Sequence, residues 1–154
     1  MAEFDGVSEL VVTYQHEGSV GFGNTVTVPT TALQDGDIIL LFGPFPERAK
    51  VFNAAGEFVY ETGTLDSGTP ALVLSLGFID SGDAALDVVI QAGVDEDDTG
   101  ETDQVAGEGA WIDVAGKYLA AEITTSASAG AASDTIEVGG RYYVNVKEQS
   151  QTAA

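Results

Sequence analysis

The side chains of this 154-residue sequence that could do chemistry are almost all carboxylates: 25 Asp and Glu stand against 5 Lys and Arg, 1 His and no Cys. Without a thiol there is no thiolate nucleophile, no disulfide and no thiolate metal site. A Ser-His-Asp arrangement would have to use His16, which sits beside Glu17 in a loosely determined region, away from any rigid element that could aim it at a nucleophile. A solvent-exposed histidine is the better reading. The same shortage of His and Cys leaves too few ligands for zinc or another transition metal.

The carboxylates admit two chemistries. A glycosidase needs two acids in a cleft, roughly 5 to 9.5 Å apart, one of them desolvated by aromatics. Here Asp35, Asp37, Asp66, Asp80, Asp83, Asp95, Asp97, Asp98 and Asp103 fall in turns, where Asp accepts backbone hydrogen bonds without any catalytic duty. Calcium takes oxygen ligands from acidic runs, but Asp95-Glu96-Asp97-Asp98-Thr99-Gly100-Glu101 lacks the alternating spacing of an EF-hand loop. A solvated acidic loop over 95–103 is the simpler reading, with calcium binding as its alternative. Gly21-Phe22-Gly23-Asn24 has neither the strand-to-helix context nor the Lys-Ser/Thr pair of a phosphate loop, and no cofactor is expected. Trp111, Tyr118, Tyr142 and Tyr143 could stack on sugar rings. Tyr142 and Tyr143 point to opposite faces of a strand, however, and core packing of Trp111 with one tyrosine competes with that use.

The elements that would position these groups are strands. Leu72, Leu74, Leu76 and Phe78 alternate behind the turn Asp66-Ser67-Gly68-Thr69-Pro70, the clearest period-two segment in the chain. Ile38-Ile39-Leu40-Leu41-Phe42 is an unbroken apolar run, the pattern of a strand covered on both faces. Further extended pieces are expected at 49–53 and 56–61, which read as one strand bent at Gly56, and at 84–90, 110–114 and 117–124. A last hairpin over 135–147 would turn at Gly139-Gly140. No capped 3.6-residue stripe occurs, so the fold class is all-β: a jelly-roll-like β-sandwich of roughly seven to nine short strands with an extended N-terminal arm. Residues 1–34 read as that arm, with short strands at 10–14 and 25–28 joined by a glycine-rich connection at 17–24. Residues 35–147 read as the sandwich, and 148–154 as a flexible tail. The expected core is Ile39, Leu41, Leu72, Leu74, Leu76, Phe78, Leu86, Val88, Ile90 and Trp111.

A formal net charge of −20 opposes the phosphate contacts that dominate binding to nucleic acid and anionic membranes, so neither is an expected partner. No apolar run approaches the roughly 20 residues of a membrane span, and Met1-Ala2-Glu3-Phe4-Asp5-Gly6 is acidic where a secretory signal is basic. A soluble chain made in a cytoplasm is expected.

The order of features carries a resemblance. Asp35-Gly36-Asp37-Ile38-Ile39-Leu40-Leu41-Phe42, then Pro44-Phe45-Pro46-Glu47-Arg48-Ala49-Lys50-Val51, then Leu65-Asp66-Ser67-Gly68-Thr69-Pro70-Ala71-Leu72-Val73-Leu74-Ser75-Leu76-Gly77, resembles small all-β virion proteins of tailed bacteriophages. The match spans about residues 35 to 90 and recurs faintly at 141–144, and it contains no catalytic motif. The Gly56 bend and the acidic 95–103 loop depart from the pattern. The resemblance implies a non-enzymatic capsid decoration (cement) protein that sits on the outer surface of the virion, clamps neighbouring major capsid subunits, self-associates as a homotrimer and is made in the host bacterial cytoplasm. Under that reading the arm makes the capsid contact through Phe4, Leu10, Val12, Tyr14, Phe22, Val26 and Val28. A carbohydrate- or receptor-binding β-sandwich of a tail or head fibre, assisted by calcium, is the alternative, and a carboxylate hydrolase is the third reading.

Overall fold

The computed structural model describes residues 3–5, 11–16, 19–52, 56–101, 111–131 and 134–144. Within them the chain is all-β, with no helix. Its strands are β1 (Glu3–Asp5), β2 (Val11–His16), β3 (Ser19–Thr27), β4 (Ile38–Phe42), β5 (Ala49–Phe52), β6 (Phe58–Thr62), β7 (Val73–Ile79), β8 (Val88–Asp95), β9 (Thr99–Glu101), β10 (Trp111–Asp113), β11 (Tyr118–Thr125) and β12 (Thr135–Val144). They build two sheets packed as a sandwich. One has five strands in the order β1-β4-β11-β7-β8; the other has seven, in the order β10-β5-β12-β3-β2, with β6 beside β12 and β9 outside β6.

Burial follows the alternation. On β7 the side chains of Leu74, Leu76 and Phe78 enter the main core with Leu72 just before them, and Ile39 and Leu41 of β4 join them. The other face of β4 is covered as well: Ile38 and Leu40 pack with Ile79 and Ala120 in a second, smaller cluster, against which Leu86 and Tyr118 rest half-buried. That double cover is why the apolar run of β4 is continuous. Between the sheets lies a knot of rings. Phe22 of β3 stacks on Phe42 of β4 at 4.1 Å, and Phe45 meets Tyr142 at 5.4 Å and Phe78 at 5.8 Å, both edge to face. Such pairs add to the area they bury.

The structure corrects four expectations. First, residues 19–28 are not a loose arm. β3 pairs along its length with β12, and Val20, Phe22, Val26 and Val28 are buried in the main core, as is Leu33. The glycines that suggest flexibility, Gly21 and Gly23, occupy outward positions opposite Arg141 and Gly139, where a missing side chain costs no core packing. Second, Gly139-Gly140 is not a turn. β12 runs through it as one ten-residue strand paired with β3 and β6, and position 140 takes glycine because a Cβ there would meet the Phe58 ring and stand 3.0 Å from the Glu57 carbonyl oxygen. Third, Trp111 is not core; it lies half-buried on edge strand β10. Fourth, of the expected 84–90 strand only Val88 onward is β8. Ile90 is buried, whereas Leu86 and Val88 are half-buried at its margin. The two pieces at 49–52 and 58–62 do follow one another along the same side of β12, with Gly56 between them at φ 80°.

Phe22 separates the two views of the N-terminal region. Phe22→Ala removes a ring from the knot and is expected to cost about 3–5 kcal/mol in urea unfolding. A loss below about 1 kcal/mol, the value for an exposed position, would contradict the placement of β3.

Candidate functional site

Some of the turn acids, Glu96, Asp97 and Asp134, gather around Asp66 and the residues next to it. The Asp66 side chain is buried, only 1% exposed. Five donors reach its carboxylate: the amides of Gly68 (3.1 Å), Ala71 (3.2 Å), Ser128 (2.7 Å) and Ala129 (3.0 Å), and the Ser128 hydroxyl (2.7 Å). Loss of solvent pushes its pKa upward, but the hydrogen bonds from Ser128, Gly68 and Ala129 outweigh it and hold the group at about 2, below the ordinary 3.8. Around it the neighbouring acids do the same work. Glu96 accepts from the Asp66 amide at 2.7 Å, Asp134 from the Thr64 amide at 2.6 Å, and Asp97 from the Thr64 hydroxyl at 2.9 Å. These carboxylates are engaged as acceptors for the turns around them. They are turn chemistry on a large scale.

The acidic run is correspondingly shorter as a loop than expected. Asp95 ends β8 and Thr99 begins β9, so 96–98 is a tight crossover from one sheet to the other; residues 102 and 103 lie outside the described set. Three acids whose oxygens lie close enough to share an ion, Asp80, Asp83 and Asp87, stand elsewhere, exposed at the end of β7. The Lys117 ammonium already bridges two of them, at 3.0 Å to Asp80 and 2.9 Å to Asp87. Desolvation and then the charges of Asp87 and Asp80 push Asp83 upward, while the Lys117 hydrogen bond pulls Asp87 down despite its desolvation.

The aromatic candidates separate. Tyr142 is core, and burial raises its pKa; Tyr118 lies on the five-stranded sheet. Trp111 and Tyr143 do meet, at 5.1 Å and 82°, together with Phe52 at 5.0 Å from Trp111, a partner that the sequence reading missed. Its signal was the outward alternation of β5, where Lys50 and Phe52 are half-buried between buried Ala49 and Val51. The three rings pack edge to face, so they cover one another's faces and form no flat stacking surface.

The residues expected to contact a capsid are dispersed. Phe4 is half-buried beside Ile39 and packs against the main core, and its neighbour Glu3 accepts from the Gly82 amide at 3.0 Å. Val12 and Tyr14 lie on β2, an edge strand, and Leu10 is outside the described residues. Phe22, Val26 and Val28 are inside the sandwich. His16 closes β2 opposite Ser19.

An open concavity lies on the outer face of the seven-stranded sheet. It encloses about 780 Å³ and crosses β3, β12, β6 and β9. Register makes two rows across it: Gly23, Gly139 and Val59 in one, and Thr25, Glu137, Glu61 and Thr99 in the other. A second concavity of about 360 Å³ shares Val59 and Gly139 with it and continues to Glu57 and Arg141.

No protein-family model and no curated protein sequence matches the chain. Two solved structures share its fold. A chain in the capsid of Ralstonia phage GP4 superposes with a TM-score of 0.55 and 17% identity over 94% of this chain and 99% of that one. A chain of the cyanophage Pam1 capsid asymmetric unit does so with a TM-score of 0.53 and 18% identity, over 90% and 94%.

Asp66 supplies an acid signature. Its folded pKa lies below the unfolded value, so its stabilisation is present above 3.8 and is lost as pH falls toward about 2. Asp66→Asn turns an amide NH₂ toward donors, and is expected to lower the urea midpoint at neutral pH and to flatten the decline in stability across that window. A variant with the wild-type acid profile would contradict the assignment.

Proposed function

We propose that the chain is a non-enzymatic structural protein of a bacteriophage, a decoration or cement protein that binds the outside of the capsid and stabilises contacts between major capsid subunits. The observation that carries this reading is the likeness to two phage capsid chains, over 94% and 90% of this chain and 99% and 94% of theirs. The chemistry of the acids supports it. Those at the Asp66 end are occupied as acceptors for backbone amides, and Asp80 and Asp87 are held by Lys117, so the described residues assemble no acid, base and nucleophile in one cleft. A rigid two-sheet scaffold with an acidic exterior suits a particle that must stay dispersed. Association of copies on the capsid surface, as a homotrimer, belongs to the same proposal. With Phe22, Val26 and Val28 placed in the core, the capsid contact falls to the residues around Phe4 and to outward faces of the sheets.

Capsids assembled without this chain test the reading. Purified protein added to them is expected to co-sediment at a fixed copy number and to raise the temperature at which the shells disrupt. Shells that neither bind it nor gain stability would refute the proposal.

A further inference from the structure

We infer that the concavity on the outer face of the seven-stranded sheet is a docking groove for an extended basic segment of the capsid partner; this rests on the capsid-binding reading above. Val59 lies in it at 48% exposure, the one large hydrophobic side chain so exposed among the described residues. Gly23 and Gly139 continue its row, so the backbone of two adjacent strands is open to close approach. In the next row Glu137 stands directly opposite Glu61 across the β12–β6 pair. Like charges in that relation repel and destabilise a sheet. The Thr25 hydroxyl donates to Glu137 at 3.3 Å, and among the described residues no Lys or Arg lines this concavity.

With only 5 Lys and Arg in a chain of net charge −20, a cation that neutralises this pair is best drawn from another molecule. A Lys or Arg side chain fits both rows at once. Its methylene stem lies along Val59 and the glycine backbone, and its charged head sits between Glu61 and Glu137. The neighbouring concavity lengthens the site past Gly139 to Glu57 and Arg141, which favours an extended segment, with its basic residue at the Glu61–Glu137 end, over a compact small molecule. The chain's overall negative field would steer such a segment toward the groove.

The test compares wild type with Glu61→Gln, Glu137→Gln and Val59→Ser for binding to the same undecorated capsids, with folding checked by urea. Each Glu→Gln change is expected to raise the urea midpoint of the free protein, because it removes the repulsion, and to weaken capsid binding about tenfold while reducing its salt dependence. Val59→Ser is expected to weaken binding without changing the salt dependence. If wild type binds and all three variants bind equally well, the groove is overturned while the capsid reading stands. If wild type binds in a way that EDTA abolishes and salt leaves unchanged, the basic segment is overturned in favour of a metal bridge. If wild type itself fails to bind, it is the capsid reading that falls.

Discussion

β12 is held by β3 from Thr135 to Tyr143 on one side and by β6 (Ile136 to Gly140), then β5 (Tyr143 and Val144), on the other, and the rest of the molecule depends on that register. Turned inward, Ile136, Val138 and Tyr142 meet the aromatic knot between the sheets. Turned outward, Glu137, Gly139, Arg141 and Tyr143 define the exposed face. A slip of one residue would exchange the two sets and bury a carboxylate in place of a ring. The burial of Tyr142 and the glycine clearance under Phe58 exclude that slip, so core packing also fixes what the protein shows to a partner.

The acidity has two distinct physical roles. At the Asp66 end carboxylates act as hydrogen-bond hubs that tie the loop at 64–71 to Glu96, Ser128 and Asp134. Asp66, held below its ordinary pKa, stabilises the fold when ionised, which makes this end of the sandwich acid-sensitive. On the sheet face, Glu61 and Glu137 stand opposite each other across β6 and β12, and Glu137 accepts one hydrogen bond, from the Thr25 hydroxyl. Carboxylates that serve the fold and carboxylates left facing each other are different populations.

Much of the fold was legible in sequence because its signals are local. Period-two alternation at 72–78, the apolar run at 38–42 and the Asp-rich turns each report a short-range constraint, and the all-β sandwich follows from them. What was not legible depends on distant pairing. The glycines of β3 and of the 139–140 pair read as flexibility or a turn, since nothing nearby in sequence says that they face Arg141 or lie under Phe58. Trp111 reads as core by size alone, yet it sits on an edge strand. The candidate groove was the least legible part: Glu61 and Glu137 are unremarkable acids until β6 is laid against β12.

The central claim, that this fold serves on the outside of a phage head, is tested most directly by imaging the intact particle. The account predicts density for the whole sandwich on the outer surface of the shell, at regular positions between major capsid subunits, with the outer face of the seven-stranded sheet against a neighbouring subunit. A particle with no such density, or with the chain inside the shell, would contradict it.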